Sequence, residues 1–252
     1  MLNTIIHGAA EGAPPLLIVH GLYGSARNWG VIAKRLSDER QVIGVDLRNH
    51  GNSLWAAPHD YPTLADDLAE IINAHGGRAD VMGHSMGGKA AMVLALRHGA
   101  LLRKLVIADI APVAYQHSQI QFIEAMRAVD LSCVARRSEA EEQLAAQGVD
   151  KALQSFFTQS LDVAAKKWRL NLDLLAEEMP KILSFPAIEG AWNGPSLFLS
   201  GANSDYVLPE HRPTIRALFP QARFAKIPGA GHWLHAEKPR EFEAAVRTFL
   251  NA

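Results

Sequence analysis

The chain has 252 residues, 48% hydrophobic and 20% charged, which supplies one large core and does not fit a disordered chain. Its 25 basic and 26 acidic residues leave a formal net charge of −1, so nothing electrostatic favours nucleic acid or an anionic membrane as partner. One cysteine, Cys133 in "LSCVA", excludes an intramolecular disulfide framework and reads as a packing residue.

The opening stretch "MLNTIIHGAAEGAPP" lacks a basic start followed by a long apolar run, so it does not read as a signal peptide. No apolar run approaches the roughly 20 residues of a membrane span, and the expected location is the cytoplasm. "NTIIHG" is expected to add an edge strand. "PLLIVHG" then reads as the first central strand, ending at Gly21. The loop "VHGLYGS" follows, in which His20 is expected to hold the loop's shape. Gly21 allows close approach, so that the N–H of Leu22 can point toward a reacting group. A helix is expected over 28–36, a strand in "QVIGVD" ending at Asp46, and a second helix over 63–75 with Thr63 as N-cap. In "VDLRNHGNS", Asp46 is expected to brace the loop against Arg48.

"ADVMGHS" reads as a strand ending at Ser85, and residues 86–98 as the helix that follows. Gly83-His84-Ser85-Met86-Gly87 is a G-x-S-x-G pattern on this strand-to-helix reversal. Such a reversal forces strained backbone angles at the serine, and glycine two residues before and after lets the chain close on itself. The serine oxygen then stands at a helix N-terminus, where free N–H groups favour developing negative charge. Ser85 is the expected nucleophile. The N–H groups of Met86 and Leu22 are the expected oxyanion donors.

After "KLVIADI", which ends at Ile110, the strand rhythm stops. No convincing strand occurs from about Pro112 to Gly190. Instead, Phe122, Ile123, Met126 and Val129 share one helical face, and Leu153, Phe156, Phe157 and Leu161 another. Leu172, Leu175 and Met179 follow before Pro180, and Ser138 with Glu141 matches a capping box. Nearly eighty residues are too many for a single crossover, so residues 112–190 are expected to form a helical cap over the sheet's C-terminal edge. Residues 1–111 and 191–252 then form the core.

"SLFLSG" and "ARFAKIP" complete the strands, and a helix over 240–250 closes the chain. Nearly continuous apolar strands alternating with helices predict an α/β fold with a mostly parallel central sheet flanked by helices. Between the last strand and last helix, "GAGHWLHAEKP" places His232 at the sheet edge that also carries Ser85, so His232 is the expected base. His235 lacks the third ligand of a metal site and reads as structural.

"HGLYGS", "DLRNHGNS", "GHSMGG" and "GAGHWLHAEKP" resemble, in order and spacing, the α/β-hydrolase superfamily over essentially the whole chain. "HGLYGSARNW", "VDLRNHGNS" and "GANSDYV" are most similar to small bacterial acyl-esterases of the YbfF type and their mitochondrial relatives. The resemblance implies a Ser-His-Asp triad, a carboxylic ester or thioester of short to medium acyl chain as small-molecule substrate, and neither cofactor nor metal. For the acid it leaves two residues. The Gly-x-x-Asp spacing that many α/β-hydrolases show after a later strand lands on Ser204 in "GANSDYV", one residue before Asp205. Asp109 in "VIADIAP" matches the YbfF-type position and is favoured, with Asp205 as the alternative. Tyr23, Phe122, Met126, Phe156, Phe157 and Trp233 are the expected pocket residues. Other uses of the same residues are a small-ligand receptor with slow or vestigial hydrolysis, or a C–C hydrolase, lactonase or perhydrolase. Nothing in the sequence addresses oligomeric state.

Overall fold

The computed structural model describes residues 1–10 and 13–252. In chain order the elements begin with β1 (Thr4–His7), β2 (Ala13–Val19), α1 (Gly30–Leu36), β3 (Arg40–Val45), α2 (Tyr61–Ala74) and β4 (Ala79–His84). They continue with α3 (Met86–Arg97), β5 (Leu102–Ala108), α4 (Ile120–Arg127), α5 (Arg137–Ala146) and α6 (Lys151–Thr158). A short hairpin, β6 (Leu161–Asp162) and β7 (Lys167–Trp168), precedes α7 (Leu172–Glu177) and α8 (Met179–Leu183). The chain then returns through β8 (Ser196–Gly201), α9 (Arg212–Leu218), β9 (Ala222–Ile227), α10 (Leu234–Glu237) and α11 (Pro239–Asn251).

Seven strands form one sheet in the order β1-β3-β2-β4-β5-β8-β9, parallel except for the edge strand β1 against β3. The apolar runs are continuous because both faces of the sheet are covered. Along β2, Leu17 and Val19 pack on the face under α2 and α3, while Leu16 and Ile18 pack on the face under α1 and α11. The spacing of Phe242, Val246, Phe249 and Leu250 gives α11 a single apolar stripe, and that stripe closes the second face.

Everything from α4 to α8 lies between β5 and β8 in the chain. These helices bury Ile123, Met126, Leu144, Phe157 and Leu175, and their apolar cluster is continuous with that of α2 and α3. The β6–β7 hairpin was not expected. Two residues per strand are too few to show an alternating pattern.

Other local expectations also need correction. The cap of α2 is Asp60, whose Oδ1 accepts from the Thr63 N–H at 3.0 Å. Pro62, with its fixed φ, suits the first turn and moves the helix start ahead of Thr63. Helix α5 has Arg136 as its N-cap, with Glu139 reaching back to the Arg136 N–H, whereas Glu141 pairs with Lys151 at 2.8 Å. Cys133 is exposed beside Asp130 rather than packed. Asp46 accepts from Ala26 N–H, Asn3 and Asn52 N–H, whereas Arg48 pairs with Asp67 at 2.6 Å. Among the described residues no helix is long and apolar enough to cross a membrane.

Candidate active site

Because β2, β4, β5 and β8 run parallel, the loops leaving their C-terminal ends meet at one edge. Ser85 leaves β4 there with φ +51°, a left-handed conformation that costs a non-glycine residue about 1–3 kcal/mol. The flanking glycines are steric requirements. A Cβ on Gly83 would lie 2.3 Å from the Gly87 carbonyl oxygen, and one on Gly87 would lie 2.3 Å from the His20 carbonyl oxygen. The reversal therefore packs against itself and against the end of β2.

His232, in the loop between β9 and α10, reaches Ser85 from above. Its Nε2 lies 3.1 Å from Ser85 Oγ, and its Nδ1 lies 2.8 Å from Asp109 Oδ2. A nitrogen facing a carboxylate carries the ring proton, which leaves Nε2 free to accept one. Asp109 follows β5, is fully buried, and also has a positive φ of +50°. Its Oδ1 accepts from the Gly201 N–H at 3.0 Å, and its Oδ2 also accepts from the Ser204 hydroxyl. Asp205, one residue beyond Ser204, is exposed and has no hydrogen bond to His232. The Gly-x-x-Asp spacing thus does mark a residue at this centre, but that residue is a serine bonded to the buried carboxylate.

The Leu22 and Met86 N–H groups have no protein partner among the described residues, and both residues line the cavity above Ser85. The loop carrying Leu22 is tightly braced. His20 Nδ1–H donates to Gly21 O at 2.8 Å, and its Nε2 accepts from the Leu47 N–H at 3.0 Å. His50 Nδ1–H donates to Arg48 O at 3.0 Å, and its Nε2 accepts from the Tyr23 N–H at 3.2 Å. These bonds require neutral rings, and burial pushes both histidines below their usual range. Burial, and then the neighbouring His232 and His235 rings, hold His84 well below that range too.

A cavity of about 340 Å³ opens over Ser85 and His232. Tyr23, Phe122, Phe156, Phe157 and Trp233 line it. Met126 does not line it. It is fully buried among the insertion helices, where its carbonyl accepts from the Trp168 indole at 2.9 Å. His235 lines the cavity as well, stacked on Trp29.

Two further residues at the site were not anticipated. The Tyr206 ring stacks on His232 with centroids 3.9 Å apart and planes 19° apart. Lys89, one turn after Ser85 on α3, is buried and donates to Leu183 O at 2.8 Å and Ser184 O at 2.7 Å. Burial lowers its pKa to about 7. A lysine inside the apolar run "GGKAAMVLAL" was the available sequence signal for it. Among the described residues no group of three or more His, Cys, Asp or Glu side chains is placed to hold a metal ion.

Comparison with known proteins gives a consistent picture. The profile of a family described as alpha/beta hydrolase fold matches residues 14–239. The chain is similar to esterase YbfF of Escherichia coli (strain K12), at 40% identity over 94% of this chain and 93% of that one. It is equally similar to the sn-1-specific diacylglycerol lipase ABHD11 of Mus musculus, at 40% identity over 94% of this chain and 81% of that one. A solved structure described as a marine microorganism esterase superposes with a TM-score of 0.91 at 37% identity, covering 98% of both chains.

Proposed function

The chain belongs to the α/β-hydrolase family, and on that footing we propose that it is a serine esterase acting on carboxylic esters, and on thioesters, of short to medium acyl chains. The observation that carries this reading is the unbroken line from Ser85 Oγ through His232 to buried Asp109, set at the floor of a cavity with two unbonded N–H groups. The printed names of the relatives, an esterase and a diacylglycerol lipase, support an ester substrate.

In this reading Ser85 Oγ attacks the acyl carbon while His232 Nε2 takes its proton. The carbonyl oxygen becomes an oxyanion held by the Leu22 and Met86 N–H groups. His232 returns the proton to the leaving alcohol or thiol as the C–O or C–S bond breaks. A water molecule, losing a proton to His232, attacks the acyl-enzyme. Collapse of the second intermediate frees the acid and restores Ser85. Asp109 keeps the imidazole in the accepting tautomer and stabilises its cation, with Ser204 and the Gly201 N–H fixing the carboxylate. Residues 112–190 serve as the cap that closes the acyl pocket, through Phe122, Phe156 and Phe157.

A fluorophosphonate is expected to label the wild type and not Ser85→Ala, and p-nitrophenyl butyrate is expected to turn over continuously. Labelling of Ser85→Ala would refute the nucleophile. Stoichiometric labelling without turnover would point to a receptor instead. An acyl-chain series of p-nitrophenyl esters would define the pocket's preference.

A further inference from the structure

We propose that His235 is a subsite for the alcohol half of the substrate, donating a hydrogen bond to an oxygen acceptor carried close to the scissile bond, as in esters of glycols and glycerol. This rests on the esterase reading above.

The ring is placed without any polar contact. It stacks on Trp29 with centroids 4.0 Å apart and planes 12° apart, meets His84 edge-on at 4.8 Å, and touches Phe242 at 6.1 Å. The residue is 8% exposed, and its Nδ1 is buried with no hydrogen-bond partner. The other ring nitrogen has no protein partner among the described residues either. An orphaned buried N–H is costlier and rarer than an under-used acceptor, so the proton belongs on Nε2. Burial and the nearby His232 lower the pKa to about 3, which keeps the ring neutral. His235 is therefore an immobilised neutral donor, lining the cavity, that the protein itself leaves unused. Packing alone would be met by a phenyl ring.

Its position selects the alcohol half. The leaving oxygen must sit against His232 Nε2, the atom that protonates it. The group attached to that oxygen extends along the wall built by the loop of His232 itself. Trp233 and His235 follow His232 directly in the chain and line the cavity with it, and the His232 and His235 rings both pack against His84, at 4.7 and 4.8 Å.

The butyrates of 2-methoxyethanol and n-butanol match in length, and only the first carries an acceptor beyond the scissile oxygen. With rates normalised to alkaline hydrolysis, wild-type kcat/KM should favour the methoxyethyl ester by about tenfold, and His235→Phe should bring that ratio to about one. A wild type with no preference overturns the proposal, and this comparison stands even if the variant misfolds. A variant that lowers both esters by the same factor overturns it too. If Ser85 resists fluorophosphonate and neither ester is cleaved, the esterase reading fails first and the subsite falls with it.

Discussion

Replacing Asp109 by Asn separates the two carboxylates that the sequence left open. Asn keeps the shape of the side chain. The Gly201 N–H, 3.0 Å from Oδ1, fixes which way the amide turns, because it demands an acceptor. The amide NH₂ then takes the place of Oδ2, which in the wild type accepts from both His232 Nδ1–H and the Ser204 hydroxyl. A donor facing the imidazole forces the ring proton onto Nε2. That nitrogen is 3.1 Å from Ser85 Oγ and is the one that must accept its proton. The wrong tautomer costs about 10⁴-fold in kcat, or about 5.4 kcal/mol. Asp205→Asn changes an exposed carboxylate with no bond to the histidine, and kcat should stay within about twofold. The assay is kcat on p-nitrophenyl butyrate for both variants, at matched thermal stability. A larger loss in Asp205→Asn than in Asp109→Asn would refute this geometry as the working one.

Acid should destabilise the fold through histidines held neutral. His59 and His235 are lowered by burial to about 3, so the unfolded chain binds more protons below about pH 6.5 and stability falls from there toward about pH 3. At about pH 5 each should have lost about 2 kcal/mol, and urea unfolding of His235→Phe should show a correspondingly flatter pH dependence. The sign is the same for Lys89 at higher pH. With a folded pKa of about 7 against about 10.4 unfolded, its contribution is complete only above the unfolded value and is lost as pH falls toward 7. The stability difference between wild type and Lys89→Met should therefore grow in the wild type's favour by about 2–3 kcal/mol between about pH 7.5 and 9.5; a flat difference would contradict a buried neutral amine. Gly83→Ala should destabilise by about 3 kcal/mol or more, since its Cβ meets backbone at 2.3 Å, while Gly30→Ala, in open space on α1, should stabilise by about 0.5–1 kcal/mol. Urea midpoints decide both. Activity should fall on acidification, since His232 must be neutral to act as base; a flat profile would count against it.

How far the sequence was legible depended on whether a constraint is local. The parallel sheet was readable because burial on both faces leaves continuous apolar runs such as "PLLIV" in β2. Ser85 was readable because its bend forces glycine at two nearby positions. Asp109 needed a family resemblance, since its partners Gly201, Ser204 and His232 are 92 or more residues away in the chain. Met126 shows the limit of helical periodicity. It shares a face with Phe122, yet only Phe122 reaches the cavity, because one helical stripe serves both the insertion's own core and the pocket wall. The stacking of Tyr206 on His232 and the bonds from Lys89 to the end of α8 come from tertiary packing that no spacing encodes.

Strain follows the same division between local and distant constraints. Five described non-glycine residues have positive φ, and three of them, Tyr23, Ser85 and Asp109, follow the neighbouring strands β2, β4 and β5. At about 1–3 kcal/mol each, that is a large cost to concentrate at one sheet edge. It persists because each residue is held by its neighbours. Tyr23 N–H donates to His50, and its carbonyl accepts from Ser160. The Ser85 N–H donates to Ala108 O at 3.1 Å, and the Asp109 N–H to Leu199 O at 2.9 Å. Each of those bonds ties one strand end to another segment. The bend at Ser85 is thus supported by the strand that delivers Asp109, and the bend at Asp109 by the strand that leads to Ser204. Relaxing Ser85 would release its bond to the end of β5, and relaxing Asp109 its bond to β8. The strained Ser85 and Asp109, and the alignment of the two on either side of His232, therefore depend on the register of β4, β5 and β8.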